Sequence, residues 1–328
     1  MNETEHVIPS DPNTIEPPSP VVIADTLANR LAVYATQAQG AFASNTQRAR
    51  RSDWAAFMTW CEITGRTALP ASPETVADYI DAASADKAPA TVRRHVSTIA
   101  TAHHAAQVEN PCAHTAVKLA LARLQRTFSS RQKQAAALTW EHIELILPQL
   151  SDDRRDQRDR ALLLVAYDTL LRRTELANLC VDDLVMQSDQ SATILVRRSK
   201  TDQSQAGAMK WLAPSTVTPL TAWLTTAAIR TGPLFRRIHK SGIVGEALSD
   251  EAIHRTLQRL VRLAGLDSGV SGHSCRVGAT QDMVAAGLDL PAVMHAGSWK
   301  SPRMPARYAE RLLANRSGMA RLAKKQGR

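Results

Sequence analysis

The chain has 328 residues, 44% of them hydrophobic, and a formal net charge of +9; that length is too great for one average domain and fits two. Positive charge in both halves points to a polyanion partner, for which DNA is the usual candidate. Aromatic residues make up only 4%, too few for an RNA-stacking platform, and Cys61, Cys112, Cys180 and Cys275 include no CxxC pair that would mark a disulfide framework or a metal site.

Residues 1–25 are acidic, contain Pro9, Pro12, Pro17, Pro18 and Pro20, and show no apolar period. That composition predicts a disordered tail. From about Ile23 to Leu124 the pattern is helical. An amphipathic stretch covers 26–40, and Ser44–Ile63 carries Trp54, Phe57, Met58 and Cys61 at helical spacing. Ser72-Pro-Glu-Thr opens another helix, with a cap-like serine and a proline in the first turn. Helices over 90–107 and 113–128 complete an all-helical domain spanning 26–128.

Residues 129–138 are polar, basic and weakly patterned at their start, and read as a linker. The second domain, 139–328, begins with helices over 139–150, 156–171 and 173–180. Short alternating segments at 192–197 and 208–212 flank a Ser-Lys-Thr-Asp-Gln-Ser turn and predict a small antiparallel hairpin. Further helices are expected over 215–231, 249–264, 274–287, 290–296 and 303–323. No run of about eighteen apolar residues marks a membrane span and no signal peptide is visible, so an intracellular, reduced protein is expected.

Six positions carry the chemistry: Arg172 in TLLRRTEL, Lys200 in RRSKT, His273 and Arg276 in SGHSCRVGAT, and Trp299 and Tyr308 in AGSWKSPRMPARY. A tyrosine is a poor nucleophile at neutral pH, because its phenol ionises near 10. It attacks phosphorus only where cations stabilise the charge developing on the phosphate. Arginine suits that task, donating from a planar fork and staying charged. Arg172 follows an apolar run and so points partly inward. His273 and Arg276 lie one helical turn apart, between Gly272 and Gly278. Glu175, three residues after Arg172, is either a brace for it or an ordinary helical ion pair. Lys200 in its turn is a solvated charge by default, on a stem long enough to protonate a leaving oxygen.

In this order and context the residues resemble the tyrosine recombinase (phage integrase) family, most closely its Cre-type members. FMTWCEITGR, RQKQAAALTWEHI and LLVAYDTLLRRTEL extend the resemblance over about 44–322. It implies a mainly α fold, a two-domain DNA clamp with a helical core-binding (SAM-like) domain and an α-rich catalytic domain bearing a small antiparallel β-sheet. It also implies a site-specific recombinase that cuts and rejoins duplex DNA through a 3′-phosphotyrosyl intermediate, with no cofactor or metal. Tyr308 would be the nucleophile, Arg172, His273, Arg276 and Trp299 the phosphate ligands, Lys200 the general acid and Glu175 their brace.

By the same resemblance Arg48, Arg93 and Arg94 face DNA in the first domain, with His95 on the same cationic edge, and Glu251 and His254 do so in the second. Glu251 stands where the family pattern offers an arginine for guanine, and a carboxylate accepts instead from cytosine N4. Ser298 replaces a glycine before Trp299, a change expected to be harmless. The implied partners are double-stranded DNA with inverted-repeat sites and three further copies of the chain, the terminal helix docking on a neighbour. The expected location is the cytoplasm, with the nucleoid. A type IB topoisomerase, a telomere resolvase or a non-catalytic DNA-binding regulator are the alternatives.

Overall fold

The computed structural model describes residues 20–127, 134–197, 207–266 and 269–328. The chain divides into two compact units, Met1–Gln132 and Lys133–Arg328. In the first, α1 (Pro20–Gln37), α2 (Ser44–Thr64), α3 (Pro73–Ala83), α4 (Pro89–Ala105) and α5 (Thr115–Thr127) follow in order. Of the expected disordered tail, residues 1–19 lie outside the described residues, whereas 20–25 are helical. Ser72 caps α3 by accepting from the Thr75 N–H, as its spacing predicts. The core of this unit is Phe57, Val76, Ile80, Val92, Ile99 and Val117, all fully buried.

The second unit begins with a strap. Residues 134–138, expected as linker, are seated: the Ala136 N–H donates to the Gly269 carbonyl and the Leu138 N–H to that of Ser274. Then come α6 (Trp140–Ile146), α7 (Arg154–Thr169), α8 (Arg173–Ala177), β1 (Leu184–Met186), β2 (Ala192–Val196), β3 (Ala208–Leu212), α9 (Pro214–Thr226), β4 (Arg236–Ile238), β5 (Val244–Ala247) and α10 (Asp250–Leu263). The series ends with α11 (Ser274–Ala285), α12 (Leu290–Ala296), α13 (Arg303–Tyr308), α14 (Glu310–Asn315) and α15 (Gly318–Lys325).

The expected single sheet becomes two among the described residues. One is an antiparallel meander in the order β1-β2-β3, and the other pairs β4 with β5. The extra strands have three or four residues each, too short to show a period, and β4–β5 carries a register shift. The helix expected over 303–323 is three helices. Ser317 accepts from the Ala320 N–H and so caps a new helix where a continuous one was expected.

Helix α7 organises this unit. Its segment Ala161–Ala166 is buried throughout and packs against α9, α11 and β3. At its amino end Arg259 of α10 bonds both Asp156 and Asp159 at 2.6 Å. The Asp159 carboxylate, fully buried, also takes Arg158 at 2.5 Å, so no charge in this cluster is left without an opposite.

Candidate active site

The site grows from the end of α7. Leu170 closes the helix with φ at 53°, a left-handed conformation that side chains seldom adopt. The turn brings Arg172 to the position before α8. There the Arg172 Nη1 donates to Glu175 Oε1 at 2.7 Å and its backbone N–H to Oε2 at 2.9 Å. Glu175 is buried and Arg172 half-buried, so the carboxylate fixes the guanidinium from beneath and leaves its outer edge to a ligand.

The strained turn has a second use. The Leu170 carbonyl accepts from Arg276 Nη1 at 2.5 Å, and the Gly297 carbonyl accepts from Arg276 Nη2 at 2.7 Å. Arg276 is buried and held at both terminal nitrogens. It sits on α11, which approaches the strap closely: a Cβ at Gly278 would lie 1.9 Å from the Leu138 carbonyl oxygen. Only glycine permits that approach. His273 lies one turn before Arg276, exposed at the start of α11. A Cβ at Gly272 would meet the Arg173 side chain.

Helix α12 supplies the opposite wall. It ends in a Schellman motif, with the Trp299 N–H donating to the Met294 carbonyl and the Ser298 N–H to that of His295. Ser298 occupies the left-handed position with φ at 52°, where glycine is usual. Trp299 then folds back so tightly that a Cβ at Gly297 would lie 2.0 Å from its ring. The Arg276 guanidinium lies 4.2 Å from the centre of the Trp299 ring, within cation–π range. Tyr308, the last residue of α13, meets Trp299 edge-on with centroids 5.9 Å apart. Its carbonyl is held by Gln134 and Gln281.

The site is strongly cationic. Burial lowers the Arg276 pKa to about 10, helped by the charge on Arg172 and opposed by Tyr308 and Glu175; it stays protonated at neutral pH. Partial desolvation of its ring, then the charges of Arg276, Arg172 and Arg173, hold His273 below the usual histidine value, although the residue keeps an exposed edge. Five of the seven sequence-predicted residues thus gather around the Tyr308 side: Arg172, Glu175, His273, Arg276 and Trp299. Lys200 lies outside the described residues.

One residue escaped the sequence reading. Lys210 in β3 is buried, while its neighbours Met209 and Trp211 are half exposed. Its Nζ donates to the Ala296 carbonyl at 2.5 Å and to Ser298 Oγ at 2.7 Å. The apolar–Lys–apolar order suggests an outward lysine; the observed face is Ala208, Lys210 and Leu212. A strand in which the charged residue takes the core side of the alternation was the available signal.

The residues expected to face DNA divide. Arg48 is exposed and bonds only Asn45 among the described residues, and Arg93 bonds Gln125. Arg94 places two nitrogens 2.8 Å from the oxygens of buried Asp53. His95 is not on the cationic edge: it is buried, pairs with the Tyr79 hydroxyl at 2.6 Å and lies 3.1 Å from Asp53. Desolvation keeps it below the usual histidine value. Helix geometry explains the correction, since each step turns the side chain by about a hundred degrees and carries His95 past Arg94 onto the face that meets Tyr79 and Asp53. Glu251, exposed on the first turn of α10, lies 3.3 Å from Arg173, which also reaches Asp250 at 3.4 Å. The Nδ1 of His254 is buried with no hydrogen-bond partner among the described residues.

Residues 136–314 match the phage integrase family. The chain is 30% identical over 303 residues to recombinase cre of Escherichia phage P1, covering 86% of this chain and 88% of that protein. It is 32% identical to an integrase/recombinase xerD homolog of Selenomonas ruminantium, over 82% of each. Among solved structures, the Tn1549 transposon integrase in complex with transposon right end DNA superposes with a TM-score of 0.61 at 14% identity, covering 88% of this chain and 98% of that one. A lambda integrase dimer bound to a core site gives 0.59 at 16% identity, covering 87% and 94%. Those two likenesses concern the fold.

Proposed function

The chain belongs to the phage integrase family, the tyrosine recombinases, and is a site-specific DNA recombinase; from that premise we propose that Tyr308 is its nucleophile and that Arg172, His273, Arg276 and Trp299 bind the phosphate it attacks. The observation that carries this is the buried Arg276, fixed at both nitrogens and stacked on Trp299 beside Tyr308. A guanidinium so held cannot reorient as charge develops, which is what makes a preorganised donor effective.

The phenol oxygen of Tyr308 attacks the phosphorus and the bond to the 5′ oxygen breaks. The product is a 3′-phosphotyrosyl linkage and a 5′ hydroxyl. Attack by a second 5′ hydroxyl reverses the step on another strand, so the phosphodiester energy is kept and no ATP is consumed. Lys200 is the proposed donor to the leaving 5′ oxygen. Glu175 holds Arg172. The unit Met1–Gln132 binds DNA through Arg48 and Arg93, with the outer edge of Arg94, and α10 reads bases from Glu251 and His254.

Four copies acting on two inverted-repeat sites complete the reading, with α15 lying against a neighbouring copy. Its Met319 and Leu322, with Leu313 of α14, are 62%, 42% and 42% exposed, apolar area suited to a partner. No described helix is long and apolar enough to cross a membrane, and the proposed location is the cytoplasm, at the nucleoid. A plasmid carrying two copies of the target site tests the reading: inversion or excision between them is expected. Relaxation of supercoils without exchange would mark a type IB topoisomerase instead.

A further inference from the structure

Two cations meet the carboxyl end of α12. Arg276 takes the Gly297 carbonyl, and Lys210 takes the carbonyl before it, that of Ala296, together with the hydroxyl after it, that of Ser298. These carbonyls have no partner within a helix and carry the negative end of its dipole. The next residue is Trp299, whose ring stacks on Arg276 and touches Tyr308. We propose that Lys210 is a positioning residue of the active site, locking the Ala296–Ser298 turn so that Trp299 and Arg276 meet the phosphate in register.

Three observations favour this over a fold strut. A buried ammonium is a costly packing element, and an apolar side chain of like length fills the space more cheaply. Burial, and then the charge of Arg276 beside it, brings the lysine down to about 8; a strut gains nothing from placement next to that charge. Finally, Ser298 stands at a left-handed position that glycine adopts without strain. The hydroxyl supplies what glycine lacks, an acceptor for Lys210. The substitution expected to be harmless is one half of this lock.

The inference rests on the assignment of Arg276 and Trp299 as phosphate ligands, and the experiment separates the two. The probe is a pool of nicked duplexes with randomised half-sites, from which wild-type protein is captured as an adduct resistant to detergent. Failure of wild type to form any adduct would overturn the functional reading itself. On the recovered duplex, Lys210→Met is expected to bind within about twofold of wild type yet form the adduct at least about tenfold more slowly, the scale for a displaced reacting group. A substrate with sulfur at the leaving 5′ position should not restore the rate. Wild-type rate in Lys210→Met, or recovery on the sulfur substrate, would overturn the proposal, the latter by making Lys210 the proton donor. If Lys210→Met does not fold, Ser298→Gly decides. It relieves backbone strain and should be at least as stable as wild type, but slower in adduct formation; equal speed would overturn the lock.

Discussion

The carboxylate of Glu175 receives Arg172 twice, from the guanidinium and from the backbone N–H of the same residue. One carboxylate thus serves both as a helix cap and as the proposed brace of Arg172. Glu175→Ala leaves the arginine half-buried with its inner edge unpartnered, and should cost about 1.5–3 kcal/mol, the range for hydrogen bonds to charged groups. Glu175→Gln keeps one acceptor and should lose less. Thermal unfolding with adduct rates on the same samples checks this; a Glu175→Ala protein as stable and as fast as wild type would refute the brace.

Gly278 and Gly297 separate folding from chemistry. A Cβ at Gly278 would strike backbone, the Leu138 carbonyl, whereas one at Gly297 would strike the Trp299 ring. Gly278→Ala should therefore unseat α11 and lower the melting temperature sharply. Gly297→Ala should displace Trp299, sparing most of the fold and slowing cleavage. Circular dichroism melts and single-turnover cleavage distinguish the pair, and equal melting losses would contradict the assignment.

Arg94 has a structural duty alongside any contact with DNA. Burial alone would raise the Asp53 pKa, but the Arg94 hydrogen bond and the charges of His95 and Arg94 outweigh it and hold the carboxyl below its ordinary 3.8. A lowered folded value means stability that is present above pH 3.8 and lost as pH falls through the folded value. Arg94→Ala should cost about 1–3 kcal/mol at neutral pH by leaving a buried acceptor unmet, and the acid loss should become shallower. Asp53→Asn in the same background should recover part of it. Unfolding measured at pH 7 and pH 3 reads both effects; no stability change in Arg94→Ala would leave it a DNA contact alone.

The end of the chain can be cut with more discrimination than its sequence suggests. Arg316 anchors α14 by donating to the carbonyls of Val284 and Ala285, so removal of everything after Glu310 would damage the α11 wall. Truncation after Ser317 removes α15 alone. The shortened protein should fold and bind one half-site normally but lose cooperative pairing on two. Unchanged cooperativity in a gel-shift titration would rule out docking of α15 on a neighbour.

Much of the site was legible because its signals are local. His273 and Arg276 are one turn apart, Glu175 is one turn from Arg172, and Ser72 caps the helix its sequence announces. What was hidden depends on distant partners. The fork of Arg94 is taken by Asp53, forty-one residues earlier, and no helical period reveals that. His95 faces the core because Tyr79 and Asp53 await it there. Lys210 turns inward because the end of α12 offers acceptors eighty-six residues further on, against the polarity of its own strand. The strands β1, β4 and β5 are too short for alternation to register, and the break before α15 hinges on one serine cap.

On the proposed reading Tyr308 attacks phosphorus held by two cations, Arg172 and Arg276, with His273 and Trp299 as further donors. The most direct test is peptide mass spectrometry of the covalent adduct captured on nicked duplex DNA. A single nucleotidyl modification is expected on Tyr308, joined through a 3′ phosphate with a free 5′ hydroxyl on the other fragment, and none in Tyr308→Phe, which should still bind the DNA. An adduct on another residue, or one that persists in Tyr308→Phe, would contradict it.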